Sequence, residues 1–206
     1  MKRGVFGMLV LAGVMALGMA GRLLAVQGGT TTDNLKAAYQ MAANAESCYK
    51  AFAVKADAEG YKSVAALFRA AEKSQDIHAA KCEAQIKKLG GAVTFKLAAA
   101  EVKSTRENLE AALKVQSAER AAKLAAFAAQ AETEKNVPAM YAFKGAMAAE
   151  AQHVKYFTQA LNGLEAWKAG DKVILVCLVC GYTTMDVTTK NCPVCQAPRS
   201  KFEDFK

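Results

Sequence analysis

The chain has 206 residues, 53% of them hydrophobic and 22% charged, which excludes a disordered or fibrous protein and leaves room for one or two compact domains. Its formal charge of +8 falls to +5 if Lys2, Arg3 and Arg22 leave with the N-terminal segment. The remaining bases are spread among acids, without a basic run or interleaved aromatics, so nucleic acid is not an expected partner.

Residues 1–25 stand apart. Lys2 and Arg3 precede a charge-free run from Val5 to Ala20, followed by Gly21, Arg22 and Leu23 to Val26. This is the pattern of a signal peptide, with small residues for cleavage after Ala20 or, less favourably, Ala25. The alternative is an uncleaved membrane anchor formed by residues 5–20, although about 16 apolar residues fall short of the roughly 20 that span a bilayer. Either way the protein is expected to be exported, to a periplasm, with the membrane touched only through this segment.

Four segments rich in Ala, Leu, Glu and Lys follow, with apolar residues at helical spacing and almost no Gly or Pro. The first helix is expected from about Thr32 to Glu59, with Thr32 or Asp33 as N-cap and Gly60 as its stop. The second runs from Lys62 to Leu89 and ends at Gly90 and Gly91. Residues 92–103 connect it to a third helix, which opens on the Ser104/Glu107 capping box and continues to about Glu134. Asn136 to Pro138 break the chain, and the fourth helix runs from Pro138 to Trp167. Short, long and short links give a ferritin-like four-helix bundle over residues 30–168.

Beyond Ala169, Gly170 and Asp171 the composition turns to Val, Ile, Thr and Cys, so residues 172–206 form a second, small domain. A unit of this size cannot bury enough core alone and needs a staple. Cys177-x-x-Cys180-Gly181-Tyr182 and Cys192-Pro193-x-Cys195 provide one: two turns, each presenting two sulfurs, close a tetrahedral site on one metal ion. Two disulfides are the alternative in an oxidising compartment, but a bond within C-x-x-C is strained. Spacing alone leaves zinc and iron both open.

The paired knuckles resemble rubredoxin, and their place after a four-helix bundle resembles rubrerythrin. The similarity extends over residues 30–206 and includes Asn34-Leu35, Glu59-Gly60-Tyr61, Ala65-Ala66-Leu67-Phe68 and Asn108-Leu109. The resemblance implies a mainly α protein with a rubredoxin-like domain, and iron on the cysteines relaying single electrons to a diiron centre in the bundle. It also implies peroxide as substrate, a redox donor protein, and a homodimer in which one subunit's thiolate-bound iron approaches the other's bundle.

The bundle positions match only in part. Glu150-x-x-His153 on the fourth helix is intact, and His78 on the second is retained, but its partner position holds Gln75. Of two acids expected on the third helix, Glu119 is present and Gln116 replaces the other, while the first-helix position is Ala42. His78, Glu119, Glu150 and His153 are therefore a partial bundle metal set. Two divalent ions would face only two matched carboxylates, an imbalance costing several kcal/mol when buried. A dinuclear centre, a single ion on those four residues, and a metal-free bundle all remain open. A site slid toward Glu46 and Glu72 would move away from His78. Cys48 and Cys82, about 15 Å apart along antiparallel helices, are expected as unbridged thiols.

Three functions follow. The first is a rubrerythrin-type peroxidase, reducing peroxide at the bundle with electrons relayed through the four-cysteine iron. The second is a non-enzymatic electron-transfer protein using that iron alone, and the third a structural module stapled by zinc.

Overall fold

The computed structural model describes residues 29–206, apart from the side chains of Ala118 and Glu119. The expected signal or anchor, residues 1–25, lies outside the described residues. No helix among those described is long and apolar enough to cross a membrane.

Helix α1, Thr31–Ala58, begins one residue earlier than expected because Thr30 is its cap. The Thr30 hydroxyl accepts from the Asp33 N–H, and the Asp33 carboxylate accepts from the Thr30 N–H at 3.1 Å. A second carboxylate, that of Glu134, receives the Thr31 N–H at 3.1 Å, so this positive helix end is tied to the far side of the bundle. Gly60, at φ 82°, turns the chain into α2, Lys62–Lys88. Glu59 just before that turn accepts the Thr105 N–H at 2.8 Å and thereby fixes the start of the third helix from a distance.

The third helix departs from expectation. It is two helices, α3, Thr105–Val115, and α4, Ala118–Thr133, broken at Gln116 and Ser117. Ser117 takes the extended conformation of an N-cap, at ψ 164°, a position Ser favours. The break turns Gln116 and Arg120 into the bundle, where both are buried. The last helix, α5, Val137–Asn162, starts with the Asn136 side chain accepting from the Ala139 N–H. It ends at Gly163, and the expected remainder to Trp167 is a single 3-10 turn.

Two apolar clusters fill the bundle. One contains Tyr49, Phe52, Phe68 and Phe157, with ring centroids 5.4 to 6.5 Å apart. The other contains Leu35, Ile86, Leu124, Phe127 and Phe143. Each large apolar side chain buried in them contributes about 1.5–3 kcal/mol. Between the clusters in sequence, on every helix, lies a layer that includes Ala42, Gln75, His78, Gln116, Arg120, Glu150 and His153, all buried.

The small domain is a three-stranded antiparallel sheet in the order β2-β1-β3, with β1 Ile174–Cys177, β2 Thr183–Thr184 and β3 Phe202–Phe205. Alternation along β1 sends Ile174 and Val176 into the bundle core and Leu175 and Cys177 into the cysteine cluster. The sheet is therefore a continuation of the bundle core and does not depend on its own interior alone. The hinge is held as well: the Lys62 N–H donates to the Lys168 carbonyl at 3.1 Å, and the Ser63 hydroxyl donates to that of Ala169.

Candidate metal centre

The two cysteine turns are built alike. The Gly181 N–H donates to the Cys177 carbonyl at 2.8 Å, and the Gln196 N–H to the Cys192 carbonyl at 2.9 Å. The residue after each knuckle is left-handed, Gly181 at φ 80° and Gln196 at φ 62°. The ligand atoms of Cys177, Cys180, Cys192 and Cys195 lie within 4.8 Å of one another. The nearest pairs join the two turns, Cys177 Sγ to Cys195 Sγ at 3.6 Å and Cys180 Sγ to Cys192 Sγ at 3.5 Å. A disulfide needs about 2.05 Å. A tetrahedron with metal–sulfur bonds of about 2.3 Å has edges of about 3.8 Å, so these sulfurs frame an ion and are not paired as disulfides.

Backbone N–H groups aim at the sulfurs: Cys180 and Val179 at Cys177, Tyr182 at Cys180, Cys195 and Val194 at Cys192. Hydrogen bonds from Cys180, first its thiol and then its N–H, pull the Cys177 thiol well down. Such donors favour the thiolates that a metal needs. Cys48 and Cys82 are unbridged, and burial pushes Cys82 up to about 12.

The cysteine domain rests directly on the two histidines. The Nε2–H of His78 donates to the Cys180 carbonyl at 3.1 Å. Beside it the Ser74 hydroxyl donates to the Gly181 carbonyl at 2.7 Å. A Cβ on Gly181 would lie 2.4 Å from His78 Nε2, so only glycine permits this approach. His153 donates from Nε2 to the Thr183 hydroxyl at 3.0 Å and accepts at Nδ1 from the Gln116 amide at 3.1 Å. That amide also donates to the Tyr49 hydroxyl at 2.9 Å. Burial, with the nearby Arg120 charge adding, holds His78 down at about 4 and His153 at about 3, so both imidazoles are neutral near pH 7.

The centre of the layer holds Arg120, which the sequence reading passed over. Its Nε donates to Glu150 Oε1 at 2.9 Å, and its second terminal nitrogen lies 2.7 Å from the same oxygen. That nitrogen also donates to Gln75 Oε1 at 3.3 Å, and the first donates to the Met41 carbonyl at 3.4 Å. The space left among Ala42, Gln75, His78, Arg120 and Glu150 is about 10 Å³. That is at the lower limit for one water molecule.

Comparison with known proteins agrees with this architecture. A family model described as Rubrerythrin matches residues 33–161, and one described as Rubrerythrin, rubredoxin-like domain matches residues 176–203. The chain belongs to the rubrerythrin family. Nigerythrin of Nitratidesulfovibrio vulgaris is 30% identical over 178 residues, covering 86% of this chain and 87% of the relative. Rubrerythrin of Porphyromonas gingivalis is 29% identical over 187 residues, 88% of this chain and 92% of its own. The solved structure of fully reduced, all-ferrous nigerythrin superposes with a TM-score of 0.80 at 28% identity, covering 96% of this chain and 100% of that one. This is thus a rubrerythrin-like iron protein with a ferritin-like bundle, in a family of peroxidase-type oxidoreductases.

The two metal positions that rubrerythrin kinship implies fare differently. The four cysteines fit one ion in number, spacing and donor chemistry. The bundle residues do not fit two. Two ions sit about 3.5–4 Å apart in dinuclear sites and share carboxylates, but Glu150 is the one carboxylate among the described residues lining this space, and Arg120 already engages it. Of the partial set of the sequence reading, the Glu119 side chain is outside those described, and the other three are engaged elsewhere: Gln116 caps His153 Nδ1, Arg120 holds Glu150, and His78 Nε2 donates to the Cys180 carbonyl. Three buried polar atoms of the layer, His78 Nδ1, Gln75 Nε2 and Gln116 Oε1, have no hydrogen-bond partner. Nor does a slid site form, since among the described residues the four cysteines are the sole metal-ligand group of three or more. Read from the sequence, where no break is evident, Arg120 stands four residues after Gln116 and so on the same face of a continuous third helix, the one local signal that it turns inward.

Proposed function

We propose that this rubrerythrin relative is a one-electron carrier that works through iron held by Cys177, Cys180, Cys192 and Cys195, with the bundle as its rigid body. The observation that carries the reading is the contrast in donor sets: four converging sulfurs in one place, an arginine ion pair in the other. Iron on four thiolates supplies a ferric/ferrous couple. The chain's own part is to hold the sulfurs so that neither oxidation state demands rearrangement. Amides directed at Cys177, Cys180 and Cys192 offset thiolate charge. Cys195 is half-buried and lines a surface cleft with exposed Val179 and Val194, an apolar edge where a donor or acceptor protein can approach.

Visible spectroscopy with metal analysis tests this. Red protein with about one iron per chain that bleaches on reduction and recovers on oxidation is expected; colourless zinc protein sinks the proposal.

A second reading, peroxide reduction within the bundle, is favoured by the whole-length similarity and by the retained His78, Glu150 and His153. It requires Arg120 to leave Glu150. Peroxide turnover by purified protein with a reduced donor would establish it over the carrier reading. Homodimerisation and export through residues 1–25 we propose on the resemblance and the N-terminal sequence alone. Sedimentation velocity giving only monomer, and an intact N-terminus on soluble cytoplasmic protein, would overturn them.

A further inference from the structure

We infer that Arg120 is the resident cation of this bundle: its guanidinium stands in the place of metal ions and gives Glu150 its counter-charge without them. The inference rests on the bundle geometry and is independent of whether the cysteine site carries electrons. Carboxylate bundle sites draw a Glu from each of two helices and a Glu-x-x-His from each of the other two, so four helices share one charge balance. Here the acid positions on α1, α2 and the end of α3 hold Ala42, Gln75 and Gln116, all neutral. Each has a part in accommodating the arginine. Ala42 is small enough to leave space beside the Met41 carbonyl, which accepts from Arg120 at 3.4 Å. Gln75 accepts from Arg120 at 3.3 Å without adding a negative charge. Gln116 turns away and donates to His153 and Tyr49.

Among the described side chains, what remains is one guanidinium against one carboxylate, Glu150, with two contacts at 2.9 and 2.7 Å. The pair is 8 to 9% exposed. Three acid positions are neutral and one cation is present, so the described part of the layer balances as it stands. The break between α3 and α4 brings Arg120 in from the first turn of a helix, where its side chain can reach the bundle axis. A guanidinium is planar, never loses its proton in proteins and cannot leave the chain. The four-cysteine site is then the one place in the described chain for a resident metal.

The test is metal stoichiometry of the full chain after anaerobic loading with ferrous iron and desalting, counted by mass spectrometry against amino-acid analysis. Wild type and Arg120→Lys are each expected to retain one ion per chain. Arg120→Glu removes the tethered cation and sets a second carboxylate beside Glu150 and His78 Nδ1, and is expected to retain two. A Cys177→Ser, Cys192→Ser double variant with wild-type Arg120 is expected to retain none. More than one ion in wild type, an ion kept by the double cysteine variant, or a folded Arg120→Glu still at one ion overturns the inference. If Arg120→Glu does not fold, wild type and the cysteine variant decide it. Wild type holding one zinc would end the electron-carrier proposal and leave this inference standing.

Discussion

The cysteine cluster and the polar layer of the bundle lie against each other, joined by the His78 to Cys180 contact of 3.1 Å, yet they have met opposite ends. The cysteine site comes from two short turns, each of which supplies two sulfurs, their hydrogen-bond donors and a left-handed residue. Losing any one sulfur leaves nothing for the others to do. The bundle site is assembled from separate helices, one or two residues from each. There the positive charge of metal ions can be supplied instead by a side chain from another helix, and Arg120 opposite Glu150 is such an exchange. A site concentrated in sequence is kept or lost as a unit; a site spread over a scaffold can be replaced piece by piece while its packing survives.

The largest effect that would break this comparison comes from the cysteines. Cys177→Ala is expected to remove the visible spectrum and all redox activity, while far-UV circular dichroism of the helices stays near that of wild type. The bundle should persist because Ile174 and Val176 add to a core that α1, α2 and α5 already form. Collapse of the helical signal together with the metal would show that the two regions are one cooperative unit. His153→Ala, in contrast, should leave the redox couple in place if the bundle carries no electrons.

Next in size is the buried ion pair. Arg120→Ala leaves Glu150 uncompensated in the interior and is expected to cost about 3–5 kcal/mol in denaturant unfolding. Replacing both partners by apolar residues, Arg120→Met with Glu150→Leu, should recover most of that loss, because the penalty comes from one stranded charge and not from removal of the pair. Equal losses in the single and double variants would contradict the assignment of the guanidinium as the layer's balancing charge.

What could be read from the chain follows the same division. The four helices, the long crossover and the cysteine turns were legible because each is specified by neighbours in sequence: capping boxes, glycine stops and two C-x-x-C motifs. Thr30, rather than Thr32 or Asp33, caps α1, a small displacement that the Thr30/Asp33 spacing contained. The break at Gln116 and Ser117 was not legible, since Ala-rich sequence on both sides has the same helical spacing and the reason for the break lies across the bundle. Arg120 was missed for a related cause. Read locally it is one more basic residue on a helix, and its meaning depends on Ala42, Gln75 and Glu150 from three other helices. The loss of acids was visible in the sequence; what replaced them required the fold.

The contact between the regions can itself be broken. Gly181→Ala would force a Cβ to 2.4 Å from His78 Nε2 at a φ of 80°, and is expected to cost about 1–3 kcal/mol. In a His78→Ala background the clash with the ring disappears, while the close approach to the Ser74 carbonyl at 3.1 Å and the backbone cost remain, so the double-mutant cycle should show coupling. Additive losses would mean that the cysteine turn does not rest on His78.

The smallest effect concerns the frame that sets the third helix against the rest. Hydrogen bonds from Thr105, and then Lys55, hold the Glu59 carboxyl down at about 2, below its ordinary value of 4.5. A carboxyl depressed by folding binds its proton more readily in the unfolded chain, so its stabilising contribution is fully present above about pH 4.5. It fades as pH falls toward about 2. Glu59→Gln keeps an acceptor for the Thr105 N–H but removes this titration. The stability difference between wild type and Glu59→Gln should therefore be flat above pH 4.5 and shrink steadily below it. Chemical denaturation measured at intervals from pH 7 down to the acid limit follows that difference. A gap that stays constant on acidification would detach Glu59 from the start of α3 and leave the inward turn of Gln116 and Arg120 to be explained by the helix break alone.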